Sequence, residues 1–255
     1  LRCAVGLPNV GLYGDPLLLV ALAEEAEQAG WDGVFVGDHL LYHDPSWPVA
    51  DPTVTAAAAV ARTARVRLGV LVTAVPRRRP AKLAREVASL DVLSGGRLVF
   101  GAGLGSMAAE YAAFGEPDDL RARAETLDEA LDLMTALWSG EPVTFHGRHL
   151  RADGVRMLPT PVQRPRVPVW CAGRWPARAP LRRAARWDGV MPTHASYDRG
   201  RPMPPGELRR VVSYVAAHRD VAAPFDVALE GATDGGRPDR DAATVLPYVD
   251  AGLTW

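Results

Sequence analysis

The chain contains 255 residues, of which 48% are hydrophobic and 23% charged, and its formal net charge is -1 at pH 7. This composition is typical of a soluble globular protein and excludes disordered and collagen-like chains. The balance of 29 basic and 30 acidic residues gives no global field for nucleic acid, two cysteines exclude a disulfide framework, and no apolar run approaches the roughly 18 residues that span a bilayer.

Short apolar runs alternate with amphipathic segments along the first half of the chain, which is typical of strand–helix units with parallel strands. The predicted strands cover residues 1–7, 33–37, 67–74 and 97–101. The predicted helices cover residues 17–29, 53–63, 78–93 and 122–138. Pro16 at the start of the first helix and Gly30 after its end are the usual boundary residues of a helix.

Residues 139–168 interrupt this alternation. They are rich in Pro, Gly and Arg and contain two strand-like pieces, 143–145 and 155–158. We interpret this segment as an insertion after the fourth helix that packs against the main fold.

The alternation resumes with predicted strands over 167–171, 189–191 and 225–229 and predicted helices over 179–186, 206–218 and 242–251. Seven strands with their helices predict an α/β fold, a (β/α)8 TIM barrel that forms a single domain over residues 1–255. Thr254 and Trp255 fall where the eighth strand would begin, so this strand is truncated in the sequence. Because the chain also starts without a methionine, a longer natural protein, unseen segments and an open barrel are the alternatives.

The carboxyl ends of the strands carry the chemistry in such barrels, so the residues there form the candidate site. The second strand ends in Asp38 and His39, and an imidazole at this place can act as acid or base near neutral pH. Side chains alternate along a strand, so we expect only one of the two to point into the mouth of the barrel. The ends of the fourth and fifth strands are glycine-rich and contribute Gly101, Gly103, Ser106, Ala172, Gly173 and Arg174.

Glycine at a strand end lets the backbone approach a flat or phosphorylated ligand closely, although a tight turn explains it equally well. Arginines also follow two of the strand ends, and they comprise Arg77, Arg78, Arg79, Arg174, Arg178, Arg182 and Arg183. Clustered guanidinium groups suit phosphate or carboxylate ligands, and solvated surface charge is the alternative interpretation. His146 and His149 in the insertion have no third ligand at a supporting spacing, so no metal site is predicted there.

Several blocks of sequence point to a known family. They read PRRRPAKLARE at 76–86, LDVLSGGRL at 90–98, GAG at 101–103, LWSGEPV at 137–143, PTPVQ at 159–163 and RAARWDG at 183–189. In these blocks and in their spacing the chain resembles the bacterial luciferase-like flavin-dependent oxidoreductases, a family that includes monooxygenases. The resemblance covers nearly the whole chain.

The resemblance implies a homodimeric (β/α)8 barrel that holds FMN or the deazaflavin coenzyme F420 at its mouth and acts on a small organic substrate by hydride transfer or oxygenation. It implies catalytic roles for His39 and Asp38, because deazaflavin-dependent members carry Asp-His at the second strand end. FMN-dependent luciferases tend to carry Glu-His there, which tilts the choice slightly towards F420. The flavin ring would lie beside Leu71 and Val72, where relatives often have a bulge with a cis non-proline peptide.

The same resemblance implies that both glycine-rich ends named above approach the ring and its phosphate-bearing tail. Leu104 stands where some relatives that oxidise sugar phosphates have an acidic residue, which argues against that substrate class. The insertion is the natural lid over such a site. With no signal peptide, no membrane span and no nucleic-acid patch, we expect a cytoplasmic enzyme.

Two other functions fit these residues. A metal-dependent barrel hydrolase would use Asp38, His39, His43 and His194, although the end of the first strand offers no HxH ligand pair. A flavin-binding paralogue without turnover would keep the barrel as a dimerisation or carrier module. A nicotinamide-binding Rossmann domain is disfavoured because GAG at 101–103 lacks the third glycine of that fingerprint, and no GxSxG elbow indicates a serine hydrolase.

Overall fold

The computed structural model describes residues 1–196, 203–220 and 223–255. They form two compact units. The N-terminal unit is Ala4–Pro168, and the C-terminal unit consists of Leu1–Cys3 together with Val169–Trp255. Both are built from parallel strands that alternate with helices, so each of the seven predicted strands has a counterpart.

The N-terminal unit contains four parallel strands that pair in chain order. These are β1 (Ala4–Leu7), β2 (Gly33–Val36), β3 (Arg67–Ala74) and β4 (Leu98–Gly103). Their helices are α1 (Pro16–Gln28), α2 (Pro52–Arg62), α3 (Pro80–Ser94), the one-turn α4 (Ala109–Ala112) and α5 (Leu120–Trp138). The predicted insertion forms an antiparallel hairpin of β5 (Val143–His146) and β6 (Arg151–Val155).

The C-terminal unit contains three parallel strands, β7 (Val169–Trp175), β8 (Gly189–His194) and β9 (Asp226–Val227). Its helices are α6 (Arg178–Ala185), α7 (Pro205–Ala216) and α8 (Pro238–Val249). After α8, the N–H groups of Thr254 and Trp255 bond to the carbonyl of Val227, and Arg2 donates to the carbonyl of Thr254. The residues predicted to open an eighth strand therefore make backbone bonds beside β9 without forming a regular strand.

Local sequence explains where the helices of the N-terminal unit begin and end. Asp15, Asp51 and Asp119 each accept a hydrogen bond from a first-turn N–H group, of α1, α2 and α5 respectively. Helix α3 ends at Gly95, which has a left-handed φ of 63° that glycine adopts without a Cβ clash. Among the helices that the structure describes, none is long and apolar enough to cross a membrane.

The apolar core of the N-terminal unit lies between the helices and the sheet. Leu19 of α1, Val60 of α2 and Leu68 of β3 belong to one buried cluster with Val34 and Val36 of β2. All four residues of β2 are buried, which agrees with a strand inside a parallel sheet that is covered on both faces. The polar residues Asp38 and His39, which follow β2, are therefore attached to a fully buried strand.

Two carboxylates hold the hairpin and the segment after it in place. Glu129 of α5 accepts hydrogen bonds from the N–H groups of residues 148–150 in the hairpin turn. Asp91 of α3, which is fully buried, accepts bonds from the N–H groups of Val162 and Gln163 and from the Gln163 side-chain amide. These contacts bind the insertion to α3 and α5, and its role as a lid stays a prediction.

Several strand boundaries differ from the predicted ones. Strand β4 continues past residue 101 to Gly103, and β7 continues past residue 171 to Trp175, so most of the glycine-rich residues lie within strands, whereas Ser106 lies beyond β4. The second strand of the insertion is Arg151–Val155, whereas the sequence predicts 155–158. The sequence also misses α4, because a single turn has no measurable periodicity.

We expect Asp91→Ala to lower the free energy of unfolding by about 2–4 kcal/mol, because three N–H donors near α3 lose their acceptor. Urea unfolding of the purified chain measures the change. The matched control is Asp153→Ala in the hairpin, because the Asp153 side chain is 58% exposed. This substitution should change the free energy of unfolding by less than about 0.5 kcal/mol. Equal effects of the two substitutions would contradict the anchoring role of Asp91.

Candidate active site

Buried polar side chains collect at the carboxyl ends of the four parallel strands of the N-terminal unit. Asn9 follows β1, Asp38 and His39 follow β2, Arg77 follows β3, and Glu110 lies in α4 after β4. Asn9, Asp38, His39 and Glu110 are each less than a tenth exposed, and the side chain of Arg77 is 1% exposed. Since buried polar groups are stable only when they are hydrogen-bonded or paired, their partners define the site.

The backbone of His39 is fixed by the side chain of Asn9. The Asn9 Oδ1 accepts a hydrogen bond of 3.0 Å from the His39 N–H, and its Nδ2 donates to the His39 carbonyl at 2.8 Å. The same Nδ2 donates to the carbonyl of Ala50 at 2.8 Å, at the far end of the loop that follows β2. The Asn9 amide thus binds both backbone polar groups of His39 and closes the loop between His39 and Ala50.

The imidazole of His39 lies between a carboxylate and an aromatic ring. Its Nδ1 is 3.4 Å from Oε1 of Glu110, and its ring centre is 5.0 Å from that of Tyr42 in an edge-on arrangement. Tyr42 in turn stacks on Trp47 with ring centres 5.6 Å apart. Trp47 is 45% exposed, and Leu40 and Leu41 are similarly exposed, so the loop offers apolar surface close to the histidine.

The carboxylate of Asp38 forms hydrogen bonds within the protein. Its Oδ2 accepts a hydrogen bond of 2.9 Å from the N–H of Ala74 at the end of β3, and its Oδ1 accepts one of 2.8 Å from Arg78. Its side chain has no exposed surface. Of the two side chains, that of Asp38 is therefore directed away from solvent, where it joins the end of β2 to the end of β3.

Two of the arginines predicted as anion contacts pair with carboxylates of the chain. Arg77 lies at the end of a short turn after β3, with its guanidinium 3.4 Å from Asp38 Oδ1 and 2.9 Å from Glu110 Oε2. It also donates to the carbonyl of Asp38 at 3.0 Å. Arg78, with a side chain 20% exposed, binds Asp38. Arg77 therefore fits neither interpretation made from the sequence, a ligand contact or a solvated surface charge, because its side chain is buried and paired with two carboxylates.

Glu110 is a buried carboxylate that stays ionised. Its Oε1 accepts hydrogen bonds from the N–H groups of Leu40 at 2.6 Å and Leu41 at 3.3 Å. Burial alone would raise the pKa of Glu110, but His39, the Leu40 and Leu41 N–H groups and the charge of Arg77 together lower it to about 2. The carboxylate is thus negatively charged at any physiological pH.

The loop between β4 and α4 is held by Tyr111. The Tyr111 hydroxyl donates to the carbonyl of Leu104 at 2.6 Å, and the Arg123 guanidinium of α5 lies 4.2 Å from its ring centre. Gly105 has a φ of 73° and runs so close to Tyr111 that a Cβ would crowd its ring. This packing fixes α4, and with it the neighbouring Glu110.

Strand β3 is irregular where the resemblance implies that the cofactor ring lies. Its pairing with β4 shifts register between Val70 and Thr73, and the intervening Leu71–Val72 peptide is cis. Leu71 and Val72 are half-buried, whereas Val70 and Thr73 on either side are buried. The bulge therefore presents apolar surface near the carboxyl end of a strand that is otherwise covered.

The glycines predicted as cofactor contacts also have packing reasons. A Cβ on Gly101 would clash with the Val70 carbonyl and the Leu71 side chain, so this glycine makes room for the bulge. A Cβ on Gly173 would collide with Leu181 of α6. The other predicted contacts comprise Gly103 in β4, the exposed Ser106 after it, and Ala172 and Arg174 in β7 of the C-terminal unit.

Within the part of the chain that the structure describes, no three His, Cys, Asp or Glu side chains are grouped so as to hold a metal ion. Asp38 and His39, two of the four ligands of the alternative hydrolase site, instead contact Arg78 and Glu110.

Sequence reasoning misses Asn9 and Glu110 as site residues. Asn9 follows β1 without any motif, and its two acceptors lie 30 and 41 residues away. Glu110 lies in an alanine-rich stretch with no helix signal, although its position after the fourth strand end is a weak clue. A search for every acidic or amide side chain within about ten residues of each strand end would find both.

Comparison with known proteins places the chain among related sequences. Residues 10–231 match the family model described as Luciferase-like monooxygenase. The chain is 36% identical over 165 residues to an F420-dependent hydroxymycolic acid dehydrogenase of Mycobacterium tuberculosis, and the match covers 64% of this chain. It covers 45% of that protein, so this chain spans less than half the length of the curated relative.

Two solved structures have the same fold. The chain is 28% identical to the monooxygenase RslO1 of Streptomyces bottropensis, with a TM-score of 0.73 over 98% of this chain and 78% of that one. It is 24% identical to an F420-dependent secondary alcohol dehydrogenase in complex with an F420–acetone adduct, with a TM-score of 0.75 over 90% of this chain and 68% of that one. The likeness confirms the predicted α/β barrel class of fold.

The low pKa of Glu110 predicts a specific dependence of stability on pH. The unfolded chain binds the proton with the usual pKa of 4.5, whereas the folded chain binds it near 2. The carboxylate therefore contributes up to about 3 kcal/mol above pH 4.5, and this contribution is lost as the pH falls towards 2.

Urea unfolding of the parent chain and of Glu110→Gln at several pH values measures this contribution. Between about pH 4.5 and pH 3 the parent should lose about 1 kcal/mol per pH unit more than the variant, because the unfolded parent takes up a proton there that the folded parent does not bind. Parallel curves for the two proteins would show that Glu110 has an ordinary pKa.

Proposed function

Because the chain belongs to the luciferase-like monooxygenase family, we propose that it is an oxidoreductase that uses coenzyme F420 or FMN. Its reaction transfers hydride to or from a small organic substrate, or oxygenates it. The relatives reported above include an F420-dependent dehydrogenase and a monooxygenase, which supports both reaction types as candidates.

The observation that carries the proposal is the fixed position of His39 at the end of β2. Its backbone is held by two hydrogen bonds with Asn9, and its buried ring lies 3.4 Å from the Glu110 carboxylate, so little reordering is needed before it acts. Strand β3 runs beside β2 in register, with Val36 opposite Val70. The apolar bulge at Leu71 and Val72 thus begins directly after Val70, level with the end of β2.

The bulge suits one face of a flavin or deazaflavin. Such a ring system is planar and largely apolar, and half-buried aliphatic side chains can cover it without a polar mismatch. Gly101 supports the fit, because the absence of a Cβ there lets the Leu71 side chain lie against β4. The residues present therefore fit the group that the family relationship implies.

When bound, the cofactor would supply a two-electron hydride acceptor or donor, or oxygen activation in the case of FMN. His39 would move the accompanying proton: when an alcohol is oxidised, the imidazole takes the hydroxyl proton, and in the reverse reaction it returns that proton to the forming alkoxide. Leu40, Leu41 and Trp47 would cover the substrate and exclude water.

The family resemblance implies catalytic roles for both Asp38 and His39, and we propose different roles for them. His39 touches the reacting groups. Asp38 positions the rim of the site, since its carboxylate already accepts bonds from Ala74 and Arg78. The aspartate before His39 favours F420 as the cofactor, with FMN as the alternative.

The remaining assignments rest on the family resemblance. We propose that residues 1–255 form a single luciferase-like domain, which agrees with a family match that extends over residues 10–231. We also propose cofactor contacts at Gly101, Gly103, Ser106, Ala172, Gly173 and Arg174, a cytoplasmic location and a homodimer. The substrate is a small organic molecule, and Leu104 in place of an acidic residue argues against a sugar phosphate.

Titration of the purified chain with F420 and with FMN, followed by fluorescence, tests the cofactor assignment. We expect binding of one of the two in the micromolar range or tighter. Val72→Asp should weaken this binding at least tenfold, because the ring must then cover a charge. Val155→Asp on the exposed side of the hairpin is the matched control and should not weaken it.

Turnover is then followed by the absorbance of the bound cofactor with a panel of alcohols, aldehydes and sulfonates. His39→Gln should leave the cofactor affinity within about threefold and lower turnover by about 10²- to 10⁴-fold. Binding of neither cofactor would refute the proposal. Binding without turnover of any substrate would favour a flavin-binding paralogue.

A further inference from the structure

The contact between Glu110 and His39 goes beyond the Asp-His pair that the family resemblance implies. Oε1 of Glu110 lies 3.4 Å from Nδ1 of His39, although the two residues are 71 positions apart in the chain. Their side chains are 1% and 9% exposed respectively, so bulk water competes little for either group. A carboxylate beside one nitrogen of an imidazole favours the tautomer with hydrogen on that nitrogen.

Glu110 cannot turn away from this position without losing other partners. Its Oε1 also accepts hydrogen bonds from Leu40 and Leu41, the two residues that follow His39. Its Oε2 forms an ion pair of 2.9 Å with Arg77. The carboxylate is therefore fixed to the same loop as the histidine and to the end of β3.

The other groups around His39 complement this arrangement. The Asn9 amide binds its backbone, the Tyr42 ring packs against its ring at an interplanar angle of 73°, and the neighbouring Asp38 is bonded to Arg78 and Ala74. Glu110 is thus the carboxylate that contacts the imidazole, while the adjacent Asp38 is directed to β3.

We propose that Glu110 is a positioning residue that holds His39 with its hydrogen on Nδ1, which leaves Nε2 to take up and return the substrate proton. This inference rests on the proposed function. The bond changes are those of a simple proton transfer: Nε2 gains the proton that the substrate hydroxyl loses, Nδ1 keeps its own, and the charge of the resulting imidazolium is stabilised by Glu110.

Nuclear magnetic resonance of the chain labelled with ¹⁵N-histidine tests the tautomer without substrate. The chain contains six histidines, and the signals that disappear in His39→Gln identify His39. At a pH where this ring is neutral, we expect the ¹⁵N shifts of a protonated Nδ1 and an unprotonated Nε2. Protonation at Nε2 in the parent chain would overturn the proposal without any change at Glu110.

Variants of Glu110 separate positioning from simple packing. Glu110→Gln should shift the His39 signals towards a mixture of tautomers and lower kcat at least tenfold, with KM and the cofactor dissociation constant within about threefold. Glu110→Asp, which retains the charge, should recover part of kcat. The control Asp91→Asn removes another buried carboxylate and should leave the His39 signals unchanged.

Unchanged His39 signals in a folded Glu110→Gln chain would overturn the proposal and make Glu110 a structural residue that only binds the Leu40 and Leu41 backbone. The tautomer is measured in the absence of cofactor and substrate. Protonation at Nδ1 in a chain that binds neither F420 nor FMN would therefore refute the proposed function while the positioning of His39 stands.

Discussion

A buried guanidinium organises the candidate site. Arg77, at the end of the turn after β3, lies against Asp38 from the end of β2 and Glu110 from α4, and all three side chains are at most 1% exposed. Removing a charge from water costs several kcal/mol unless a partner of opposite sign and hydrogen bonds replace the water. Burial of the three segments together therefore requires an arrangement in which the charges meet, and the ion pairs of Arg77 with Asp38 and Glu110 provide it. The geometry around His39 follows from that requirement.

This arrangement combines a buried polar part of the site with an exposed apolar one. The buried part consists of Asn9, Asp38, Arg77 and Glu110, which bind one another or the His39 backbone. The exposed part consists of the side chains of Leu40, Leu41 and Trp47, on a loop whose backbone is bound by Glu110 and Asn9. A proton-transfer group on a rigid base beside an apolar surface suits the proposed reaction on a small organic substrate.

The sequence predicts the repeating elements well because burial in a parallel sheet produces short, continuous apolar runs, and helix ends carry Asp, Pro and Gly. It also predicts Asp38 and His39, since polar residues directly after a buried strand lie at its end. It fails for Arg77, Asn9 and Glu110, whose partners are tens of residues away, so their neutralisation depends on tertiary structure alone. The packing role of Gly101 is hidden for a related reason: the space beside it is filled by Leu71 of the neighbouring strand, which only the register of β3 and β4 reveals.

The proposed function requires His39 to act on a substrate next to a flavin or deazaflavin that lies on the β3 bulge. A crystal structure of the chain with bound F420 or FMN tests this arrangement through the position of the ring relative to Leu71, Val72 and His39. We expect the ring to cover Leu71 and Val72 and the His39 imidazole to lie within about 4 Å of the ring or of a bound substrate analogue. A ring bound elsewhere on the chain, or a His39 side chain turned away from it, would contradict the proposed function.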